Sequence, residues 1–77
     1  MTKALEEVIA GTLRINSAKV TDALAFNAIP EWDSLAHMEL MLALEAAYGV
    51  SIDEDRMIEL ISVGAIRSFL NDGGSGS

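Results

Sequence analysis

The sequence predicts an all-α fold, a small four-helix bundle with a long loop between its first and second helices. Apolar residues recur at three- and four-residue steps in several stretches, and no stretch alternates in the manner of a strand. Seventy-seven residues with a single proline, Pro30, leave room for one domain built mostly of helix. The first helix is expected from about Thr2 to about Arg14, with Leu5, Val8, Ile9 and Leu13 on its apolar side. Thr2 is its expected N-cap, and Glu6 and Glu7 suit the positive end of the helix dipole. The connection from Ile15 to Asp33 is longer than bundle loops usually are, so it needs apolar anchors. Val20, Leu24, Phe26 and Ile29 fill that role, with a single turn around Asp22–Phe26, and Pro30 holds Ile29 extended. The second helix is expected to start at Asp33 or Ser34, both good caps, and to stop near Gly49. A third, short helix is expected over Glu54–Leu60, capped by Asp53 or by a box between Ser51 and Glu54. A fourth is expected over Val63–Leu70, capped by Ser62. Residues 1–72 form the domain, and the Gly/Ser run at 73–77 has the composition of an added flexible linker.

Composition removes several function classes. The chain has no cysteine, hence no disulfide, thiolate metal site or thiol nucleophile, which suits a reducing cytoplasm. Twelve acids against five bases give a net charge of −7, which repels nucleic acid and attracts basic protein surfaces. No apolar run is long enough to span a bilayer, so no membrane insertion is expected. Asp53, Glu54 and Asp55 lack the spacing of a calcium loop and read as the acidic start of a helix. His37 stands alone and makes no metal site.

The second helix carries two apolar stripes where a bundle helix needs one. His37, Leu40, Met41, Leu44 and Tyr48 share one side. Leu35, Met38 and Leu42 share the opposite side, flanked by Glu39 and Glu45. Three other helices, two of them short, can hardly cover both, so the second stripe is expected to meet a partner protein. Met38, Met41 and Met57 read as adaptable packing rather than as a cofactor box. Trp32 is expected to anchor the preceding loop by burial, with its indole N–H on a carbonyl.

Ser34 at the helix start has three readings. It is a simple cap; or a serine modified with a phosphate-linked group that the helix N-terminus favours; or a nucleophile served by His37 one turn on. The last lacks an orienting acid, an oxyanion hole and an enclosed pocket.

From Pro30 to Tyr48, PEWDSLAHMELMLALEAAY resembles the attachment region of acyl carrier proteins, in which Asp-Ser-Leu opens the second helix of a four-helix bundle. The resemblance continues through Gly49-Val50-Ser51-Ile52-Asp53 and into the closing segment with Val63, Gly64, Ile66, Phe69 and Leu70. It implies a non-catalytic carrier with a covalent 4′-phosphopantetheine arm on Ser34. It implies that Asp33 and Leu35 belong to the motif read by a phosphopantetheinyl transferase, and that Met38, Glu39 and Leu42 face partners. Phe26, Leu40, Leu44, Ile52, Val63, Ile66 and Phe69 become core positions. Acyl, aminoacyl or peptidyl groups then ride as thioesters between loading and condensing enzymes, on a monomeric cytoplasmic protein. The second helix is less acidic than in carriers of fatty-acid synthesis, with Ala36, His37, Ala46 and Ala47 where acids are expected. The Glu-Trp-Asp-Ser-Leu-Ala-His run is closer to carriers of specialised pathways, some peptidyl and aminoacyl carriers among them. The alternative from another class is a small helical interaction or regulatory module in which Ser34 only caps a helix.

Overall fold

The computed structural model describes residues 4–71. Thr2, expected as the first cap, and the Gly/Ser segment at 73–77 lie outside the described residues. Among the described residues four α-helices are present: α1 (Leu5–Leu13), α2 (Ser34–Tyr48), α3 (Glu54–Glu59) and α4 (Val63–Asn71), with a 3-10 turn at Ser17–Lys19. No strand occurs among them, only an isolated antiparallel bridge between Ala25 and Ser62.

Helix α1 begins at Leu5, with Ala4 at the cap position. Alanine has no side-chain acceptor, so the Glu7 carboxylate reaches back to the Ala4 N–H at 3.4 Å. The helix ends when Arg14 turns left-handed at φ 61°, and the Ile15 N–H donates to the Ala10 carbonyl at 3.0 Å. In α2 the stop is Gly49, whose φ of 65° is one that glycine adopts without cost. Asp53, not Ser51, caps α3: its carboxylate accepts from the Arg56 N–H at 2.8 Å. Ser62 Oγ accepts from the Ala65 N–H at 3.1 Å and caps α4 as expected.

The long loop is organised differently from the expectation. Its 3-10 turn lies early, at Ser17–Lys19, because the Asn16 side chain accepts from the Ala18 N–H at 2.9 Å. A tight turn follows, closed by the Leu24 N–H on the Thr21 carbonyl. The loop then runs beside the start of α4. The Phe26 N–H donates to the Ile61 carbonyl, and the Val63 and Gly64 N–H groups donate to the carbonyls of Leu24 and Asp22. Those two donors open α4 and have no partner within the helix, so the loop satisfies them. A methyl on Gly64 would stand 3.3 Å from the Asp22 carbonyl oxygen, which explains a glycine inside a helix there.

One core joins the helices. Leu5, Val8, Ile9 and Leu13 of α1, Leu40, Met41 and Leu44 of α2, and Val63, Ile66 and Phe69 of α4 belong to a single buried cluster. Val20, Trp32, Ile52 and Leu60 enter from the connections. Phe26, assigned to the core from sequence, is half-buried and packs against its edge. Burial pushes the Tyr48 phenol above its ordinary range, and the Glu6 charge adds to the effect.

Arg67 of α4 ties three segments together. Its guanidinium donates to Glu6 of α1 and to Asp22 of the loop, at 3.0 Å for the latter. The hydrogen bond from Arg67 holds the Glu6 carboxyl below its usual range. A carboxylate with a lowered folded pKa stabilises the fold above its unfolded value, near about 4.3, and that stability fades as pH falls through the folded value. Arg67→Gln should therefore flatten the acid limb of a plot of melting temperature against pH. An acid limb as steep as the wild type's would show that the Glu6–Arg67 pair contributes nothing.

Candidate functional site

The site is the start of α2. Asp33 is extended, with φ −100°, and its carboxylate accepts from the Ala36 N–H at 2.9 Å. Asp33 is thus the N-cap and Ser34 the first helical residue. The Ser34 side chain is exposed, and its hydroxyl bonds to no other described residue. Sequence reasoning could not choose between Asp33 and Ser34 as cap; the structure assigns the cap to Asp33 and leaves the serine oxygen available.

Behind the serine lies a buried polar contact. Trp32 is fully buried, and its indole N–H donates to His37 Nδ1 at 3.0 Å. The acceptor is thus an imidazole, not the carbonyl expected from sequence. The other ring nitrogen, Nε2, lies 2.8 Å from the Met57 carbonyl oxygen of α3. A carbonyl only accepts and an indole N–H only donates, so the two contacts assign the Nε2–H tautomer. Both nitrogens of His37 are committed. The histidine cannot take a proton from Ser34 at Nδ1 without giving up the tryptophan, which removes the base that self-contained catalysis would need.

The outward face of α2 is as the stripes predict. Leu35, Met38 and Leu42 are 67%, 54% and 65% exposed, while Leu40 and Leu44 are fully buried. Glu39 is exposed beside the outer stripe. Glu45 is occupied otherwise: its carboxylate accepts from the Ile52 N–H at 2.8 Å and fixes the turn after the helix. The three methionines divide, with Met41 buried, Met57 half-buried and Met38 exposed. Two further exposed apolar residues, Ile58 and Ile61, lie on and after α3. Helical spacing gave no sign of them, because a six-residue helix is too short to define a face. Asp53, Glu54 and Asp55 form the cap and first turn of α3. Beside the start of α2 an open groove is lined by Leu13, Arg14, Pro30, Asp33, Leu35 and Glu39. It is mixed in character and does not enclose Ser34 in a water-poor site.

The start of α2 thus presents an exposed hydroxyl at a helix N-terminus of a small helical bundle, with the nearby histidine committed to Trp32 and the Met57 carbonyl. Residues 3–70 match the family model described as the phosphopantetheine attachment site. The chain is 32% identical over 68 residues to an acyl carrier protein of Helicobacter pylori (strain G27), covering 88% of this chain and 87% of the relative. It is 29% identical to an acyl carrier protein of Helicobacter acinonychis (strain Sheeba) over the same shares. The chain belongs to the phosphopantetheine-bearing acyl carrier protein family, and its role is that of a carrier. The group this family bears is 4′-phosphopantetheine, joined through a phosphate. An exposed hydroxyl on the first residue of a helix fits it, since the free N–H groups of that turn stabilise an attached phosphate. No helix among the described residues is long and apolar enough to cross a membrane.

Proposed function

We propose that Ser34 carries the 4′-phosphopantetheine arm and that the chain holds acyl, aminoacyl or peptidyl intermediates as thioesters on its thiol. The observation that carries this reading is the division of labour at the helix start: Asp33 provides the cap, so the Ser34 hydroxyl is exposed and uncommitted. Loading from coenzyme A uses that one hydroxyl of the chain: the Ser34 oxygen forms a phosphoester with the phosphorus next to pantetheine, the pyrophosphate P–O bond breaks, and adenosine 3′,5′-bisphosphate leaves as the hydroxyl proton is lost. The remaining chemistry belongs to the enzymes that load and use the carrier. Tethering then replaces each bimolecular encounter of cargo and enzyme by a high effective concentration.

Those enzymes meet the face that begins at Asp33 and Leu35 and continues through Met38, Glu39 and Leu42. It is apolar with an acidic edge. Such a surface suits partners that must bind, react and leave. A phosphopantetheinyl transferase is the first of them, and loading and condensing enzymes follow.

Intact mass after incubation with coenzyme A and a broad-specificity transferase tests the reading. The wild-type chain should gain the mass of one phosphopantetheine, and Ser34→Ala should gain none. An unmodified wild type, or equal gains by both, would leave the interaction module with a capping serine as the better account.

A further inference from the structure

Trp32, His37 and the Met57 carbonyl form a chain of two hydrogen bonds from the loop before Ser34 to α3. Each end of this chain has a reason to exist. Met57 lies in the last turn of a six-residue helix, whose final carbonyls have no partner within the helix. A helix so short is not stable alone and must be held from outside. The His37 Nε2–H supplies one of the missing donors. At the other end, the indole N–H of a fully buried tryptophan needs an acceptor, and His37 Nδ1 provides it. Phe26 closes the third side, its ring centroid 5.3 Å from that of the imidazole, at 58°. The Phe26 N–H is itself tied to the Ile61 carbonyl beyond α3.

Ser34 lies inside the loop that these bonds close. The His37 backbone N–H donates to the Asp33 carbonyl at 2.8 Å, while its ring holds Trp32, two residues before the serine. The Trp32 carbonyl in turn accepts from the Asn27 N–H at 2.9 Å. The first turn of α2 is therefore fixed from both of its ends, and one of those ties leads to α3.

We propose that His37 is a positioning residue for Ser34: through its paired bonds to Trp32 and the Met57 carbonyl it sets the place at which the serine hydroxyl is presented to the transferase. This rests on Ser34 being the attachment residue. Misplacing a reacting group by about 1 Å can cost about a hundredfold in rate, so a loosened helix start should slow transfer without abolishing recognition by the outer face of α2.

The test uses the full-length chain as the varied substrate of a phosphopantetheinyl transferase, well below its melting temperature. The latch is read separately, by NMR hydrogen exchange at the indole N–H of the single tryptophan. In the wild type that proton should be protected. His37→Leu should lose the protection and lower kcat about tenfold or more, with KM changed by less than about twofold. His37→Gln keeps one acceptor and one donor, and should restore both the protection and most of kcat. Trp32→Phe keeps ring packing but removes the indole donor. It should lower kcat as His37→Leu does, and it serves if the leucine variant does not fold. An exposed wild-type indole proton, wild-type kcat in a folded variant with the latch cut, or a glutamine variant that regains the protection but not kcat would overturn the proposal. A wild-type chain that accepts no arm would overturn this inference together with the Ser34 reading, whereas fast loading after the latch is cut overturns this inference alone.

Discussion

Leu44→Ala should destabilise the fold by about 2–5 kcal/mol, and Leu40→Ala by a similar amount. Both side chains are fully buried, in the middle of α2 and in the core cluster that α1 and α4 also enter. Truncation loses the burial of several carbon atoms and leaves a cavity that a close-packed interior fills only in part. Small domains have total stabilities of about 5–15 kcal/mol, so either change takes a large share of the whole. On the opposite side of the same helix, Met38→Ala and Leu42→Ala should each cost less than about 0.5 kcal/mol, because both residues are more than half exposed. Urea or thermal melts of the four variants check the contrast. If Met38→Ala unfolds the protein as readily as Leu44→Ala, the helix is buried on all sides and has no partner face.

Binding should reverse that order. Met38→Ala and Leu42→Ala should slow loading by a transferase by about tenfold, as expected when a central apolar contact worth about 1–2 kcal/mol is lost from an interface. Glu39→Lys should lower the encounter rate most at low salt, since an exposed charge at the rim steers approach and is screened as salt rises. The equivalent change at Glu45 acts by a different route, because that carboxylate holds the Ile52 N–H. It should reduce stability before it alters recognition. Steady-state rates of the three α2 variants at low and at moderate ionic strength separate these effects. Loading that is indifferent to Met38, Leu42 and Glu39 alike would move the interface to another face of the domain.

The features legible in the sequence are those fixed by local chemistry. Ser62 caps α4, and Asp53, one of the two caps that the sequence allowed for α3, caps that helix, because a short oxygen-bearing side chain beside a helix start reaches the N–H groups of the first turn. Gly49 ends α2 because the chain there turns left-handed. The two stripes of α2 followed from spacing alone, and fifteen residues are enough to define two faces. What escaped was set by residues far apart in the chain. The indole of Trp32 looked for an acceptor and found the ring of His37, a choice decided by α3 packing against α2. Arg67 reaches Glu6 and Asp22 across 61 and 45 positions, and no local pattern marks such a pair. The long loop displayed its anchors, but its pairing with the first turn of α4 depends on donors that only the folded helix leaves open. At Ser34 the sequence allowed either a cap or a modified residue. The distance from Asp33 to the Ala36 N–H resolves who caps the helix, a matter of backbone geometry rather than composition.

The measurement that bears most directly on the attachment site is fragment-ion mass spectrometry of the loaded chain. Trypsin releases Val20–Arg56 as one peptide, which contains only two serines, Ser34 and Ser51. Fragment ions should place a single phosphopantetheine on Ser34, with Ser51 and the serines of every other peptide unmodified. A modification located on Ser51 or on any other residue, with Ser34 bare, would contradict the assignment.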